Sequence, residues 1–307
     1  MFRQTEKILK KVNEFIQAHQ GEFNSEEEMN EMLQRFMEEE NAKISSGKAD
    51  PGPETADDYL ELAGRAPSRK KQLEYVNKAL ELEPDNLDAG RMKSELTSKT
   101  PWEFIEELSQ LLEMGNRQMK EEGFFARNCK GHFWGILETR PYMRVRHAYM
   151  RALITCGMLR RAAKECEEML ALCEGDNLGV RYDAMHLYAM LEEEKPAKAL
   201  MKKYSGDDET QMLLPFSILH FKLGQMDESL AELKRLIQIN KDTKKFLRIM
   251  TSGSAKDDLP EIGPYGYSPD CIEELVMEAS SYSFLFQNSI SYFIWADQAS
   301  RKRAAKK

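Results

Sequence analysis

The chain has 307 residues, with 44 Lys and Arg against 52 Asp and Glu, so its formal net charge is −8. This acidic excess argues against a nucleic-acid-binding protein, because phosphate contacts need a positive face. A hydrophobic fraction of 41% indicates a folded chain, and the low counts of Gly (17) and Pro (11) argue against an all-β fold with many tight turns.

The first 43 residues predict an amphipathic helical hairpin. A first apolar stripe follows helical spacing up to Gly21, and Ser25-x-x-Glu28 resembles a capping box before a second stripe. The first stripe contains Ile8, Leu9, Val12, Phe15 and Ile16, and the second contains Met29, Met32, Leu33, Phe36 and Met37. Residues 44–55 are rich in Ser, Gly and Pro and predict a linker.

Residues 56–250 predict TPR-like helix–turn–helix repeats. In the first unit, Ala79 precedes Pro84 by five residues, as at the end of a tetratricopeptide (TPR) repeat, although the turn between its helices is short. Three later units cover residues 142–174, 177–204 and 210–240. Their turn glycines Gly157 and Gly224 lie 67 residues apart, close to two periods of about 34.

Small residues support the same repeat period. Ala162, Ala197 and Ser229 are spaced by 35 and 32 residues, and small side chains let paired helices approach closely. We therefore expect an all-α fold, an α-solenoid of TPR-like repeats that form an α-α superhelix.

Other segments frame the predicted repeats. Thr100 is predicted to cap a helix that runs through residues 101–125. Residues 251–269 predict a Gly/Pro/Tyr loop, residues 270–300 C-terminal capping helices, and residues 301–307 a basic tail.

The cysteine content indicates the compartment. Five cysteines are an odd and sparse set, which argues against a disulfide framework and favours a reducing cytoplasm. The N-terminal residues lack the apolar core of a signal peptide, and the longest uncharged run, residues 279–296, is too polar for a membrane span. We expect a cytoplasmic protein without a membrane partner.

Two segments carry a family resemblance. Gly131–Arg144 (GHFWGILETRPYMR) and Gly175–Tyr182 (GDNLGVRY), with the loop at Pro264-Tyr265-Gly266, resemble a bacterial TPR family related to the suppressor-of-tumorigenicity-seven proteins. The resemblance extends over residues 54–300 and implies an all-helical TPR-like fold. It implies no established activity, cofactor or catalytic residue, and the membrane segments of the animal relatives have no counterpart here.

The same two segments supply the candidate binding residues. First helices of consecutive TPR units line the concave surface, so Arg144 and Arg181, 37 residues apart, are predicted to face one groove and bind a carboxylate or phosphate. Aromatic rings next to them would contact a peptide. The predicted partner-binding residues are Trp134, Arg140, Tyr142, Arg144, Asn177, Arg181 and Tyr182.

A structural alternative accounts for the same residues. Ion pairs between adjacent repeats fix helix stacking, and Glu138 with Arg181 or Asp176 with Arg140 would serve this purpose. Asp176 or Asn177 is also a candidate cap for the following helix.

Metal binding and catalysis have weaker support. Cys129-x-x-His132 is a single half-motif, and His147, His186 and His220 lie among apolar helical residues. The sequence contains no phosphate loop, Gly-x-Ser-x-Gly elbow or His-Glu-x-x-His motif. We expect no cofactor, no metal site and no enzymatic activity.

The predicted function is a protein–protein or protein–peptide interaction module, a scaffold whose groove binds a partner. Residues 140–161 are locally basic, so an acidic peptide is the first partner to test. The alternatives are a peptide-responsive regulatory receptor and, more remotely, an unrecognised enzyme. Residues 1–43 could also form a docking arm that folds back on the repeats or pairs with another chain.

Overall fold

The computed structural model describes residues 2–19, 21–22, 25–45, 52–126, 128–206, 208–252 and 268–301. These residues form sixteen α-helices, one 3₁₀-helix and no β-strand, which confirms the predicted all-α class. They belong to two compact units, residues 1–156 and 157–307, and each unit is described by itself. Most of the predicted linker (46–51), loop (253–267) and tail (302–307) lies outside the described residues.

The described part of the first unit contains seven α-helices and the 3₁₀-helix. They are α1 Phe2–Ala18, α2 Glu26–Ser45, α3 Ala56–Gly64, α4 Arg69–Leu82, α5 Leu87–Thr97, α6 Pro101–Glu121, the 3₁₀-helix Phe133–Gly135 and α7 Arg140–Thr155. The two helices predicted for residues 1–43 are α1 and α2. Their aromatic rings meet where Phe15 stacks on Phe36 with centroids 4.5 Å apart, and Ser25 accepts a hydrogen bond from the backbone N–H of Glu28 at the start of α2.

Helices α3 and α4 pack against each other around a small apolar core. Thr55 and Asp58 form a reciprocal capping box that begins α3, and Ser68 caps α4. Leu60, Val76 and Ala79 are completely buried in this core. The burial of Ala79 agrees with its predicted role as a small residue between helices.

Helix α5 is a correction to the sequence interpretation, which ended the first repeat at residues 84–86 and placed the next helix after Thr100. The Asn86 side chain accepts a hydrogen bond from the backbone N–H of Ala89 and so begins α5 immediately. Helix α5 packs against α4, α6 and α7, which brings its first turn towards the residues of α7.

The predicted cap of α6 is confirmed. Thr100 accepts a hydrogen bond from the N–H of Glu103 at 3.1 Å, and Pro101 occupies the first turn. Farther along α6, Gly115 lies directly against the ring of Tyr142, since a Cβ atom at this position would be 2.6 Å from Cδ2 of that ring. Glycine here allows α6 and α7 to approach closely.

The described part of the second unit contains nine α-helices. They are α8 Leu159–Leu172, α9 Val180–Leu191, α10 Glu194–Lys203, α11 Thr210–Lys222, α12 Met226–Ile239, α13 Thr243–Ser252, α14 Ile272–Ser281, α15 Ser283–Phe286 and α16 Ile290–Arg301. Helix α11 is the central one and packs against α9, α10, α12, α14 and α16.

The turn at Gly224 lies between two helices, and the small residues of the predicted repeats lie in the core. Gly224 adopts a left-handed conformation (φ +75°) between α11 and α12, and Glu192 adopts one (φ +62°) between α9 and α10. Ala162, Ala197 and Ser229 are completely buried, which confirms that they lie between packed helices.

A buried polar cluster fixes the C-terminal helices on α11. Ser229 donates to the backbone carbonyl of Ser217 at 2.8 Å, and the hydroxyl of Tyr292 donates to Oγ of Ser217 at 2.9 Å. Helices α14, α15 and α16 thus correspond to the helices predicted for residues 270–300. Within the described residues no helix combines the length and the apolar composition that crossing a membrane requires.

Candidate functional site

The N-terminal end of α7 is built by a buried threonine. Thr139 directly precedes Arg140, the first residue of α7, and so occupies the cap position of this helix. Its hydroxyl, however, donates to the backbone carbonyls of Phe133 and Ile136 and makes no capping bond. Thr139 therefore ties the 3₁₀-helix to α7.

This turn orients Arg140. The Nε atom of Arg140 donates to the backbone carbonyl of Trp134 at 2.8 Å, and its guanidinium lies 5.4 Å from the centre of the Trp134 ring. Both interactions come from the 3₁₀-helix that Thr139 holds in place. The side chain of Arg140 is thereby fixed along the first turn of α7.

Arg140 and Arg144 converge on one carboxylate, that of Glu6 in α1. Nη1 of Arg144 lies 2.8 Å from Oε1 and 3.0 Å from Oε2 of Glu6, and Nη1 of Arg140 lies 3.4 Å from the same Oε1. The two arginines are four residues apart on α7 and so occupy one helix face. We call this pair the arginine clamp, and it is an arrangement that binds a single carboxylate from two sides.

The other edge of Arg144 is held by Asp88. Nε of Arg144 donates to Oδ1 of Asp88 at 2.9 Å, and Nη2 donates to Oδ2. Asp88 lies in the first turn of α5 and is only 5% exposed. Burial lowers the pKa of Arg144, but the carboxylates of Asp88 and Glu6 outweigh it and raise that pKa above its usual value.

Two lysines of α1 bind the acidic start of α3. Lys7 pairs with Asp58, and Lys10 pairs with Asp57 at 2.5 Å. Burial raises the pKa of Asp58, but hydrogen bonds from Lys7 and Thr55 outweigh it and hold that pKa well below its usual range. A pocket opens beside these ion pairs, and its lining includes Glu6, Lys10, Asp57, Asp88, Pro141 and Arg144.

Two predicted aromatic contacts have different positions. Trp134 is partly exposed beside Arg140 and belongs to the surface of the first unit. Tyr142 is completely buried, donates to Oδ1 of Asn116 at 2.7 Å and packs against Phe133. Tyr142 thus belongs to the core, and we leave it out of the partner-binding surface.

Arg181 lies in the second unit, where acidic residues surround it. Its Nη1 donates to Asp176 at 3.0 Å, while Nη2 and Nε donate to the two carboxylate oxygens of Glu209 at 3.0 and 3.3 Å. Burial lowers the pKa of Arg181, but the hydrogen bonds with Glu209 and Asp176 and the charge interaction with Tyr182 outweigh burial and raise that pKa above its usual value. Glu209 precedes α11, and Arg181 is the second residue of α9. Their ion pair therefore connects the N-terminal ends of α9 and α11, which are the first helices of two predicted repeats. This contact is of the kind that the structural alternative describes, but the pairing differs. Asp176 binds Arg181 instead of Arg140, and Glu209 takes the place suggested for Glu138.

Tyr182 and Asn177 complete the predicted set. The Tyr182 hydroxyl donates to Glu209 at 3.0 Å, and the Arg181 guanidinium lies 4.2 Å from the centre of its ring. Asn177 is exposed. Of the two candidate caps, Asp176 accepts hydrogen bonds from the N–H groups of Val180 and Arg181 at the start of α9.

Sequence reasoning missed the acidic partners Glu6, Asp88 and Glu209. Each is distant in the sequence from the arginine it binds, by 138, 56 and 28 residues. A charge pattern along one helix cannot reveal such partners. The only local signal was the N-terminal position of Asp88 on α5, where an acidic residue favours a helix start.

Histidine and cysteine side chains are the candidate metal ligands and catalytic groups of the sequence. Among the residues that the structure describes, no group of three or more His, Cys, Asp or Glu side chains is placed to hold a metal ion. His132 is exposed, and Cys129 is half-buried. His186 is completely buried, with Nδ1 2.7 Å from the carbonyl of Tyr182 and Nε2 2.7 Å from Glu278, and its ring stacks on Tyr282.

The function of the chain is therefore inferred from its own residues. No protein-family model matches the sequence, and a comparison with curated proteins returns no match either.

Proposed function

We propose that this protein is a protein- or peptide-binding scaffold built from TPR-like repeats, in the manner of the bacterial TPR family that residues 131–144 and 175–182 resemble. The helix pairs α3/α4, α9/α10 and α11/α12 support a solenoid of such repeats, because each pair is joined by a short turn and packs together. Stacked hairpins of this kind present an extended surface to a partner.

The observation that carries the proposal is the arginine clamp. Arg140 and Arg144 point two Nη1 atoms at one carboxylate oxygen, at 3.4 and 2.8 Å, and their side chains are 16% and 20% exposed. Partial burial strengthens such a pair relative to one in open water. An acidic side chain of a partner is the group that this geometry fits.

Trp134 extends the proposed surface. Its partly exposed ring lies against Arg140 and supplies an apolar contact next to the charge. Tryptophan and arginine are the residue types that most often dominate binding energy at protein interfaces. We propose no catalytic activity, no cofactor and no nucleic-acid partner, and we place the protein in the cytoplasm.

Affinity capture tests the proposal. Wild-type protein and an Arg140→Gln/Arg144→Gln variant would be used as bait in native lysate, followed by mass spectrometry and titration of the acidic segment of each captured protein. We expect a partner that binds wild type at least about tenfold more tightly than the variant, a difference of about 1.4 kcal/mol.

An arginine outside the clamp provides the control. Arg160 is 74% exposed and pairs with Glu193 on the surface of the second unit. Arg160→Gln should capture the same partner as wild type. Capture that is equal in wild type and in the double variant would contradict the proposal, and so would the absence of any partner.

A further inference from the structure

Helix α1 contacts helices α3 and α7 of the same unit through a specific order of charges. Glu6 faces the arginine clamp, Lys7 faces Asp58, and Lys10 faces Asp57. Position 10 lies on the same side of a helix as positions 6 and 7, since it is four residues from the first and three from the second. One acidic and two basic groups on α1 thus match two basic and two acidic groups on α3 and α7.

The apolar stripe of α1 points elsewhere. Ile8 and Leu9 are 40% and 37% exposed, and Phe15 stacks on Phe36 of α2. The contact of α1 with α3 and α7 therefore depends on ion pairs instead of apolar burial. Exposed ion pairs such as those of Lys7 and Lys10 contribute about 0–1 kcal/mol each, so this part of the contact is readily exchanged.

Exposure differs among the three ion pairs. Lys7 and Lys10 are 41% and 45% exposed, whereas Glu6 is only 12% exposed. The buried carboxylate is the specific element of the contact, and the lysines fix the direction of the helix. The pocket beside these ion pairs leaves open space next to the contact of α1 with α3 and α7.

We propose that α1 occupies the partner site of this protein in cis, with Glu6 in the position of the partner's acidic side chain. The partner is then an amphipathic helix that carries an acidic residue followed one and four residues later by basic residues, and it binds by displacing α1. This inference rests on the proposed function, because it assigns the ligand and the regulation of the same arginine clamp.

Competition sets the expected size of the effect. When a binding site is accessible in only a fraction of the molecules, the apparent affinity for the partner falls in proportion to that fraction. If α1 is docked in about 90% of the molecules, partner binding is therefore about tenfold weaker. Removing the charge of Glu6 should restore that affinity without touching the clamp.

The experiment measures binding of a fluorescein-labelled synthetic peptide with the sequence of residues 2–18 to the full chain by fluorescence anisotropy. We expect Glu6→Gln protein to bind this peptide about tenfold more tightly than wild type. Glu14→Gln changes an exposed carboxylate eight residues farther along the same helix, and this protein should bind the peptide as wild type does.

Peptides with Glu6→Gln, or with Lys7→Glu and Lys10→Glu, should bind Glu6→Gln protein more weakly than the unaltered peptide.

Other outcomes overturn the inference in distinguishable ways. If the peptide binds wild type and Glu6→Gln protein equally and this binding depends on Arg144, α1 does not compete for the site. The arginine clamp would then still be a site that binds acidic side chains. Absence of peptide binding to every variant would refute the helical partner, and the capture experiment would then decide the proposed function by itself. A dimer of wild type in light scattering that dissociates in Glu6→Gln would show that α1 docks on a second copy instead of in cis.

Discussion

Nη1 of Arg144 lies 2.8 Å from Oε1 of Glu6, although 138 residues separate the two side chains in the sequence. The opposite edge of the same guanidinium binds Asp88, so Arg144 connects three helices of the first unit, α1, α5 and α7. One side chain therefore has a structural contact and a proposed binding contact at the same time.

Replacement of Arg144 should destabilise the first unit. Arg144→Gln removes two hydrogen bonds to Asp88, which is 5% exposed and also lies 4.0 Å from Nε of Arg91, and removal of one member of a buried pair costs several kcal/mol. Because Arg144 keeps some solvent contact, we expect a loss of about 2–3 kcal/mol. Urea unfolding followed by circular dichroism measures it. Arg160→Gln, at an exposed pair, should change stability by less than about 0.5 kcal/mol, and equal losses for both variants would contradict the role of Asp88.

High salt should loosen α1. Raising the salt concentration from about 0.1 M to about 1 M shortens the screening length from about 10 to about 3 Å and weakens exposed ion pairs. We expect amide hydrogen exchange in residues 2–18 to accelerate, while exchange in residues 180–191, which form the largely buried α9, stays constant. Exchange in α1 that does not respond to salt would argue against docking by charge.

Two glycines distinguish close packing from an ordinary helical position. Gly115→Ala forces a Cβ atom against the buried ring of Tyr142, so we expect a loss of about 1–3 kcal/mol. A Cβ atom at Gly64 meets nothing within 4 Å, so Gly64→Ala should be neutral or stabilising by up to about 1 kcal/mol. Thermal unfolding of the two variants provides the comparison, and a neutral Gly115→Ala would disprove the close approach of α6 and α7.

Acid should destabilise the second unit through His220. This side chain is 3% exposed, and burial together with Lys198 lowers its pKa below the usual 6.5, against the opposing effects of Glu228 and Glu194. The unfolded chain then binds more protons than the native state just below pH 6.5, so the contribution of His220 is complete above about pH 6.5 and is lost as the pH falls.

Urea unfolding at a series of pH values tests this dependence. Between about pH 7.5 and 5.5, wild type should lose more stability than His220→Gln, which cannot take up a proton in this range. His132→Gln, at an exposed histidine of the first unit, should retain the pH dependence of wild type. Identical profiles for wild type and His220→Gln would contradict the prediction.

The sequence predicted much of the local structure. The caps at Ser25 and Thr100, the turn at Gly224 and the buried small residues Ala162 and Ala197 all agree with the structure, because each depends on neighbours within a few residues. Helix α5 shows the limit of this reasoning. Pro84 marks the end of the first predicted repeat, whereas Asn86 begins α5 only two residues later.

The amino-acid sequence by itself determined the all-α class of the described residues, the start of helices such as α2 and α6, and which small residues are buried. Only the tertiary structure decided which side chains meet. Sequence spacing predicts that Arg144 and Arg181 face one groove, but it does not reveal the carboxylates that each arginine binds. Arg140 and Arg144 bind Glu6, and Arg181 binds Asp176 and Glu209. The physical reason is that helix formation follows from backbone hydrogen bonds and apolar periodicity over a few residues, while an ion pair across 138 residues depends on how complete helices pack.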